Sequence, residues 1–225
     1  MEARFGGMRM KVLVAGAHGK VARHLVRMLA GAGHEVRGLV RKEEQLPDVE
    51  SDGAESVFCD LESEEVDGRI GEAVEGCDAV VFAAGAGAGS GEPRKETMDY
   101  GGAAKLIEAA EKHGVWRYLM LSSTGADDPD SRDEAMRPYL RAKARADERL
   151  EKSGLDYTII WPGRLTDDAG TGRIDAAESL GRYAEIPRED VAAVFAAALE
   201  SLTTRGKKFE ILAGDTPIKE AIKSL

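Results

Sequence analysis

Apolar residues recur along this chain in two alternating rhythms. Short runs rich in Val, Ile, Leu and aromatic residues appear as KVLVA after Met10, EVRGLV, SVFC near 56–59, DAVVFAA, WRYLMLSS, DYTIIWP and KKFEIL. Such runs predict strands, and a run that is apolar throughout predicts a strand covered on both faces. Between them lie longer stretches whose apolar positions fall three or four apart, as at Val21, Leu25, Val26 and Leu29 within 21–30. That spacing predicts helices with one buried side. Further helices are expected over 62–76, 95–113, 134–153 and 189–201, and in the final PIKEAIKSL. Glycines after several of these stretches, such as Gly31 and Gly154, suit helix ends. The alternation predicts α/β architecture: one domain over 10–225, with a doubly wound, mostly parallel sheet and helices on both faces. Residues 1–9 read as an N-terminal extension, and 162–190 with 205–225 as the short region left to shape a substrate site.

Composition narrows the function without naming it. The chain has 225 residues and a formal net charge of −10, with 43% hydrophobic and 32% charged residues. That balance fits an ordinary globular domain, and so acidic a chain lacks the basic field that nucleic acid requires. Its apolar runs are too short to span a bilayer. Cys59 and Cys77 form no C-x-x-C pair, so neither a disulfide framework nor structural zinc is expected, and a reducing cytoplasm is the natural compartment. The histidines, His18, His24, His34 and His113, lack ligand spacing, and no metal site is expected.

One turn carries specific chemistry. In VLVAGAHGKVA, Gly16, Gly19 and Ala22 stand at the spacing G-x-x-G-x-x-A between a predicted strand and a predicted helix. Gly16 permits the tight turn, Gly19 lets the backbone approach a pyrophosphate, and Ala22 leaves room for helix to pack on sheet. The turn Gly16, Ala17, His18, Gly19, Lys20 and Val21 is therefore the candidate phosphate cradle of a dinucleotide-binding Rossmann sheet, with the helix N-terminus facing the anion. At the end of the second strand, where an acid would grip a free ribose hydroxyl, the chain has Arg41 and Lys42. A cation there suits a 2′-phosphate, which favours NADP(H) over NAD(H). Asp60 is placed to meet the adenine amino group and Leu61 to pack on its ring. Ala83, Ala84 and Gly85 end the fourth strand with little bulk, so that a ribose or nicotinamide can lie close.

The stretch YLRAK places Tyr139 and Lys143 four apart, one turn above the other on a helix. With the glycine turn, Asp60-Leu61, the AAGAG after strand four, LSSTGADDP after strand five and YTIIWPGRLTDDAGTGRI, it resembles the atypical short-chain dehydrogenase/reductase superfamily. Within that superfamily the chain is most similar to the small NmrA-like and NAD-dependent epimerase/dehydratase-like proteins, over nearly its whole length from Met10.

The resemblance implies that Tyr139 acts as the general acid toward a carbonyl oxygen, or as the base in reverse. Lys143 would supply positive charge that favours the phenolate and would hold the nicotinamide ribose hydroxyls. Ser123 would donate to the substrate oxygen, with Thr124 an alternative in the same hydroxyl run. Ser122, Pro162, Gly163 and Leu165 would border the cofactor. Where the family often has arginine this chain has Trp161, which leaves a polar contact there in question.

The polar stretch TDDAGTGRI is expected to form a loop placed as a lid. After Pro162 only 63 residues follow (225 minus 162), little to grip a second nucleotide. The expectation is thus an NADP(H)-dependent oxidoreductase acting on a small carbonyl or conjugated acceptor, as monomer or homodimer. A non-catalytic NADP(H) sensor or assembly protein is the alternative, and a nucleotide-sugar epimerase or dehydratase ranks third.

Overall fold

The computed structural model describes residues 9–63, 66–87 and 89–225. All of the N-terminal extension expected over 1–9 except Arg9 lies outside them. The first half alternates strictly: β1 (Lys11–Ala15), α1 (Lys20–Gly31), β2 (Glu35–Val40), α2 (Leu46–Ser51), β3 (Glu55–Phe58), α3 (Asp67–Val74) and β4 (Ala79–Phe82). Next, α4 (Glu92–Arg94) runs through a π-helical stretch, Lys95–Gly102, into α5 (Ala103–His113), followed by β5 (Arg117–Leu121), α6 (Arg137–Glu151) and β6 (Asp156–Pro162). The remainder comprises β7 (Arg164–Thr166), β8 (Arg173–Ala177), β9 (Glu185–Pro187), α7 (Arg188–Glu200), β10 (Lys207–Ala213), β11 (Thr216–Pro217) and α8 (Ile218–Lys223).

The main sheet runs β11-β8-β10-β6-β5-β4-β1-β2-β3. β1 pairs in parallel with both β2 and β4. Strand order therefore reverses at β1, which opens a crevice beyond the carboxyl ends of β1 and β4. Side chains on these strands alternate between two cores. Val12, Val14 and Val81 join α1 and α7 residues on one face. Leu13, Ala15, Val80 and Phe82 join residues of α3, α5 and α6 on the other. Fully burying each such side chain contributes roughly 1.5–3 kcal/mol, so a one-residue slip of register would lose the whole set. The expected doubly wound, mostly parallel sheet is the observed one.

The segment expected as a polar loop is one over 167–172, set between β7, which pairs with β9, and β8, which joins the main sheet antiparallel to β10. The turn between β7 and β8 is also fastened: Glu189 accepts from the Gly170 N–H at 2.8 Å, and buried Asp190 accepts from the Thr171 and Gly172 N–H groups at 2.9 and 2.8 Å. Three consecutive backbone donors are thus held by the first turn of α7. This segment is a tied strap, because its partners lie far along the chain where local polarity cannot reveal them.

Candidate functional site

The crevice at β1 and β4 is an open cleft. Its walls include Gly16, His18 and Gly19 from the turn after β1, Arg41 after β2, Leu61 after β3, and Ala83, Ala84 and Gly85 after β4. Those sequence candidates converge. Gln45, Cys59 and Met98 also line the cleft, although no motif in the chain points to them. Cys59 carries no reactive signature, for burial pushes its thiol up to about 11.

Gly16 shows why the turn needs glycine. Its φ is +76°, and a Cβ there would stand 2.6 Å from Ala84 Cα. The Gly16 and Ala17 N–H groups bond to Leu39 O, at 3.1 and 2.9 Å, which fixes the turn against β2. Ala17 is buried as a spacer facing Gly38. The first turn of α1 has no side-chain cap, so its N–H groups, including those of Lys20 and Val21, are not satisfied within the helix. A cleft with that donor set, a glycine floor and an Arg41 wall fits a dinucleotide with phosphate at the helix end.

Other candidates sit differently. The Lys20 ammonium is exposed and bonds to Asp167 at 2.5 Å, a residue that Arg188 also holds at 2.6 Å. His18 is 2.8 Å from Asp48, and Gln45 approaches its other ring nitrogen at 3.3 Å. Asp60 does not line the cleft; one of its carboxylate oxygens accepts from the Glu62 N–H at 3.0 Å. Asp60 stands between Cys59 and Leu61, both of which line the cleft. Gly163 is enclosed: a Cβ would overlap the Ala184 carbonyl, which accepts from the Arg164 N–H at 3.0 Å. Pro162 is buried at the end of β6, and Leu165 is half-buried on β7.

Tyr139 and Lys143 project from α6 toward the ends of β4 and β5. The Lys143 ammonium, 3% exposed, donates to Leu121 O at 2.9 Å and lies 3.4 Å from Asp99 Oδ1. It stands 5.9 Å from the Tyr139 ring centroid and 5.7 Å from that of Phe82. Asp99, 1% exposed, comes from the π-helical stretch, and its second oxygen accepts from the Ala86 N–H at 3.4 Å. The same Oδ1 would lie 3.1 Å from a Cβ on Gly85, a cleft residue. Asp99 therefore joins the inner end of the cleft to the Tyr139–Lys143 pair, its Oδ1 facing the Lys143 ammonium. Position 99 was not among the sequence candidates, since an α-helical reading of 95–113 hides the wider turn that aims it inward.

The three hydroxyls after β5 divide. Ser123 donates to Thr124 O at 3.4 Å and stands near enough to the Tyr139 phenol to favour its ionised form. Thr124 is committed to the backbone, donating to Pro162 O at 3.0 Å. Ser122 donates to Asp147 at 2.7 Å, so its hydroxyl is not offered to a cofactor. The same Asp147 oxygen accepts from the Trp161 indole N–H at 2.8 Å, so the donor at that position is spent inside the fold.

Burial pushes the Tyr139 phenol above its ordinary value; the Lys143 ammonium favours the phenolate, as expected, and the Ser123 hydroxyl acts the same way, but neither overcomes burial. Tyr139 therefore holds its proton at neutral pH. Burial opposes charge on Lys143 as well, but Tyr139, Asp99 and Asp147 outweigh it and hold the ammonium above its usual range. This site can keep a phenolic proton beside a permanent cation.

Comparison with known proteins accords with the geometry. The NAD(P)H-binding family profile matches residues 16–202. An uncharacterized sugar epimerase of Bacillus subtilis is 43% identical over 217 residues, 96% of this chain and all of that protein. A Bacillus halodurans structure bearing the name of an NAD-dependent epimerase/dehydratase is also 43% identical, with a TM-score of 0.91 over 96% of this chain and all of that one. An oxidoreductase structure from Lactococcus lactis is 31% identical, with a TM-score of 0.84 and 96% of each chain covered.

Proposed function

The chain belongs to the NAD(P)H-binding family, and from that premise we propose that it is an NADP(H)-dependent reductase of a small carbonyl or conjugated acceptor. The observation that carries the reading is the grouping of half-buried Tyr139 and Ser123 about the buried Lys143, linked through Asp99 to the inner end of the cleft. Bound cofactor would supply the hydride. Tyr139 delivers the proton from its Oη to the substrate oxygen, and Ser123 orients that oxygen beside it. As negative charge grows on the phenol, the Lys143 ammonium compensates it from a buried position.

Support for NADP(H) is electrostatic. Arg41 lines the cleft at the end of β2, as do His18 and Gln45 from neighbouring segments. A 2′-phosphate there would meet a guanidinium without displacing a carboxylate from that strand end. The oxidoreductase name of the Lactococcus lactis relative agrees with the reductase reading. The epimerase names of the two Bacillus relatives favour a second one, in which hydride taken from a sugar carbon is returned to it with no net change of cofactor.

The test combines binding and turnover. NADPH should bind more tightly than NADH, and Arg41→Glu should reverse that order. In a panel of small carbonyls and conjugated acceptors followed at the nicotinamide absorbance, Tyr139→Phe should lower kcat by about 10²–10⁴, the usual span for a general acid. Turnover that survives Tyr139→Phe sinks the mechanism. Tight NADPH binding with no turnover on any acceptor favours the sensor role, and isomerisation of a nucleotide sugar at constant NADPH favours the epimerase.

A further inference from the structure

The helix face that carries Tyr139 and Lys143 continues one turn further to Asp147, and that residue has no part in the chemistry above. Asp147 is 4% exposed. Its Oδ2 accepts two hydrogen bonds, from Ser122 Oγ at 2.7 Å and Trp161 Nε1 at 2.8 Å, while Oδ1 is buried without a partner. Ser122 immediately follows β5 and precedes Ser123. Trp161 lies at the end of β6, one residue before Pro162. A single carboxylate therefore fastens both strand ends to the helix bearing the tyrosine and lysine. We propose that Asp147 is a positioning residue, which sets Ser123 and the Pro162–Gly163 segment against Tyr139 and Lys143 and so shapes the nicotinamide half of the cofactor site. The inference rests on the dinucleotide reading of the cleft.

A carboxylate is an unusual choice for a clamp so deep in the molecule, and its charge is contested from several sides. Lys143 and Glu151 face it from its own helix, with Tyr139 two turns before it. Lys208 of β10 lies 5.6 Å from the Trp161 ring centroid and feels the same charge. Asp99 approaches Lys143 from the π-helical stretch. Burial outweighs the two donated bonds and Lys143, and pushes the carboxyl up to about 6. The clamp is therefore ionised at neutral pH and becomes neutral in mild acid, where the indole N–H loses its charged acceptor.

Two tryptophans make this visible without any substrate. Trp116 is exposed and Trp161 buried, so Trp116→Phe identifies the Trp161 indole resonance in a ¹H–¹⁵N spectrum of the protein. That resonance should shift with a midpoint near 6, the value to which burial pushes Asp147, and should lose its pH dependence in Asp147→Asn. At pH ~7.5, the same variant should bind NADPH about tenfold more weakly, the scale of one charge-assisted hydrogen bond. Adenosine 2′,5′-bisphosphate, which carries no nicotinamide, should bind as it does to the wild type. Trp161→Phe, which removes the indole donor but keeps an aromatic ring, should weaken NADPH in the same direction and serves if Asp147→Asn folds poorly. A Trp161 resonance indifferent to Asp147, or equal losses for both ligands, overturns the proposal. If the wild type binds neither ligand, the dinucleotide reading falls and takes this inference with it; wild-type binding left unchanged in both variants overturns the inference alone.

Discussion

Gly16 bears two constraints that other described glycines of the chain bear separately or not at all. Its positive φ is shared with Gly33, where φ is +88° and a Cβ would meet nothing within 4 Å. Among the described residues, only at Gly16 does a positive φ coincide with a missing Cβ that makes room for another backbone, that of Ala84. Left-handed backbone costs a residue with a Cβ roughly 1–2 kcal/mol, so Gly33→Ala should lower stability by that amount and no more. Gly16→Ala adds a collision between the ends of β1 and β4, which relaxes only by parting the strands that form the floor of the cleft. In urea unfolding, Gly16→Ala should therefore lose more stability than Gly33→Ala, and it should also lose most of its affinity for NADPH. Equal stability losses with intact binding would show that Gly16 serves φ alone. The same reasoning explains why this residue was legible in the sequence: a glycine needed for both φ and close approach sits at a spacing that few other structures demand.

At the scale of elements, legibility followed range. Helices and strands of the main sheet announced themselves through local periodicity, and their order implied the crevice at β1. What local pattern could not carry was any feature defined by a distant partner. β8 reads as polar because Ile174 is its one fully buried side chain, and the short strand RIDAA, whose edge partners β10 and β11 lie far along the chain, offers too few positions for a period to appear. The π-helical stretch Lys95–Gly102 is similarly silent, since one extra residue in a turn leaves the apolar spacing nearly unchanged while turning Asp99 inward. Asp147 did leave a trace, standing at the same four-residue interval as Tyr139 and Lys143, but a carboxylate on a charged helix reads as solvent-facing until the fold buries it. The strap between β7 and β8 offers a test of this long-range tying. Removing the Asp190 side chain leaves the Thr171 and Gly172 N–H groups without their acceptor, at about 1–3 kcal/mol for each unsatisfied donor. Asp190→Ala should accelerate amide hydrogen exchange at Thr171 and Gly172 and lower the unfolding midpoint. Unchanged exchange there would mean that β7 and β9 hold the strap without Asp190.

For the molecule as a whole, an acidic chain with a sequence pI near 5.0 invites the expectation that stability simply declines toward acid. The buried carboxylates divide on that point. Asp52 is desolvated, but its bonds from Arg23 at 2.5 Å and Arg27 at 2.8 Å win, and its carboxyl lies below the ordinary value. Such a group stabilises the fold above its unfolded value and loses that contribution as pH falls through the lower folded one. Asp147 has the opposite sign. Its carboxyl is raised from 3.8 to about 6, so between those values the folded chain binds a proton that the unfolded chain releases. Stability linked to this residue therefore rises as pH falls from 7 toward 4, and is fully present only below the unfolded value. Between pH ~7.5 and ~5 the gain is about 1 kcal/mol, since binding one extra proton in the folded state contributes roughly 1.4 kcal/mol for each pH unit below the folded value. Asn at this position does not titrate. The stability difference between wild type and Asp147→Asn, measured by urea unfolding at the two pH values, should move by about 1 kcal/mol in favour of the wild type at the lower pH. A difference independent of pH would mean that Asp147 does not titrate in this window, and a shift toward the variant would mean that its carboxylate is stabilised in the fold rather than merely retained there.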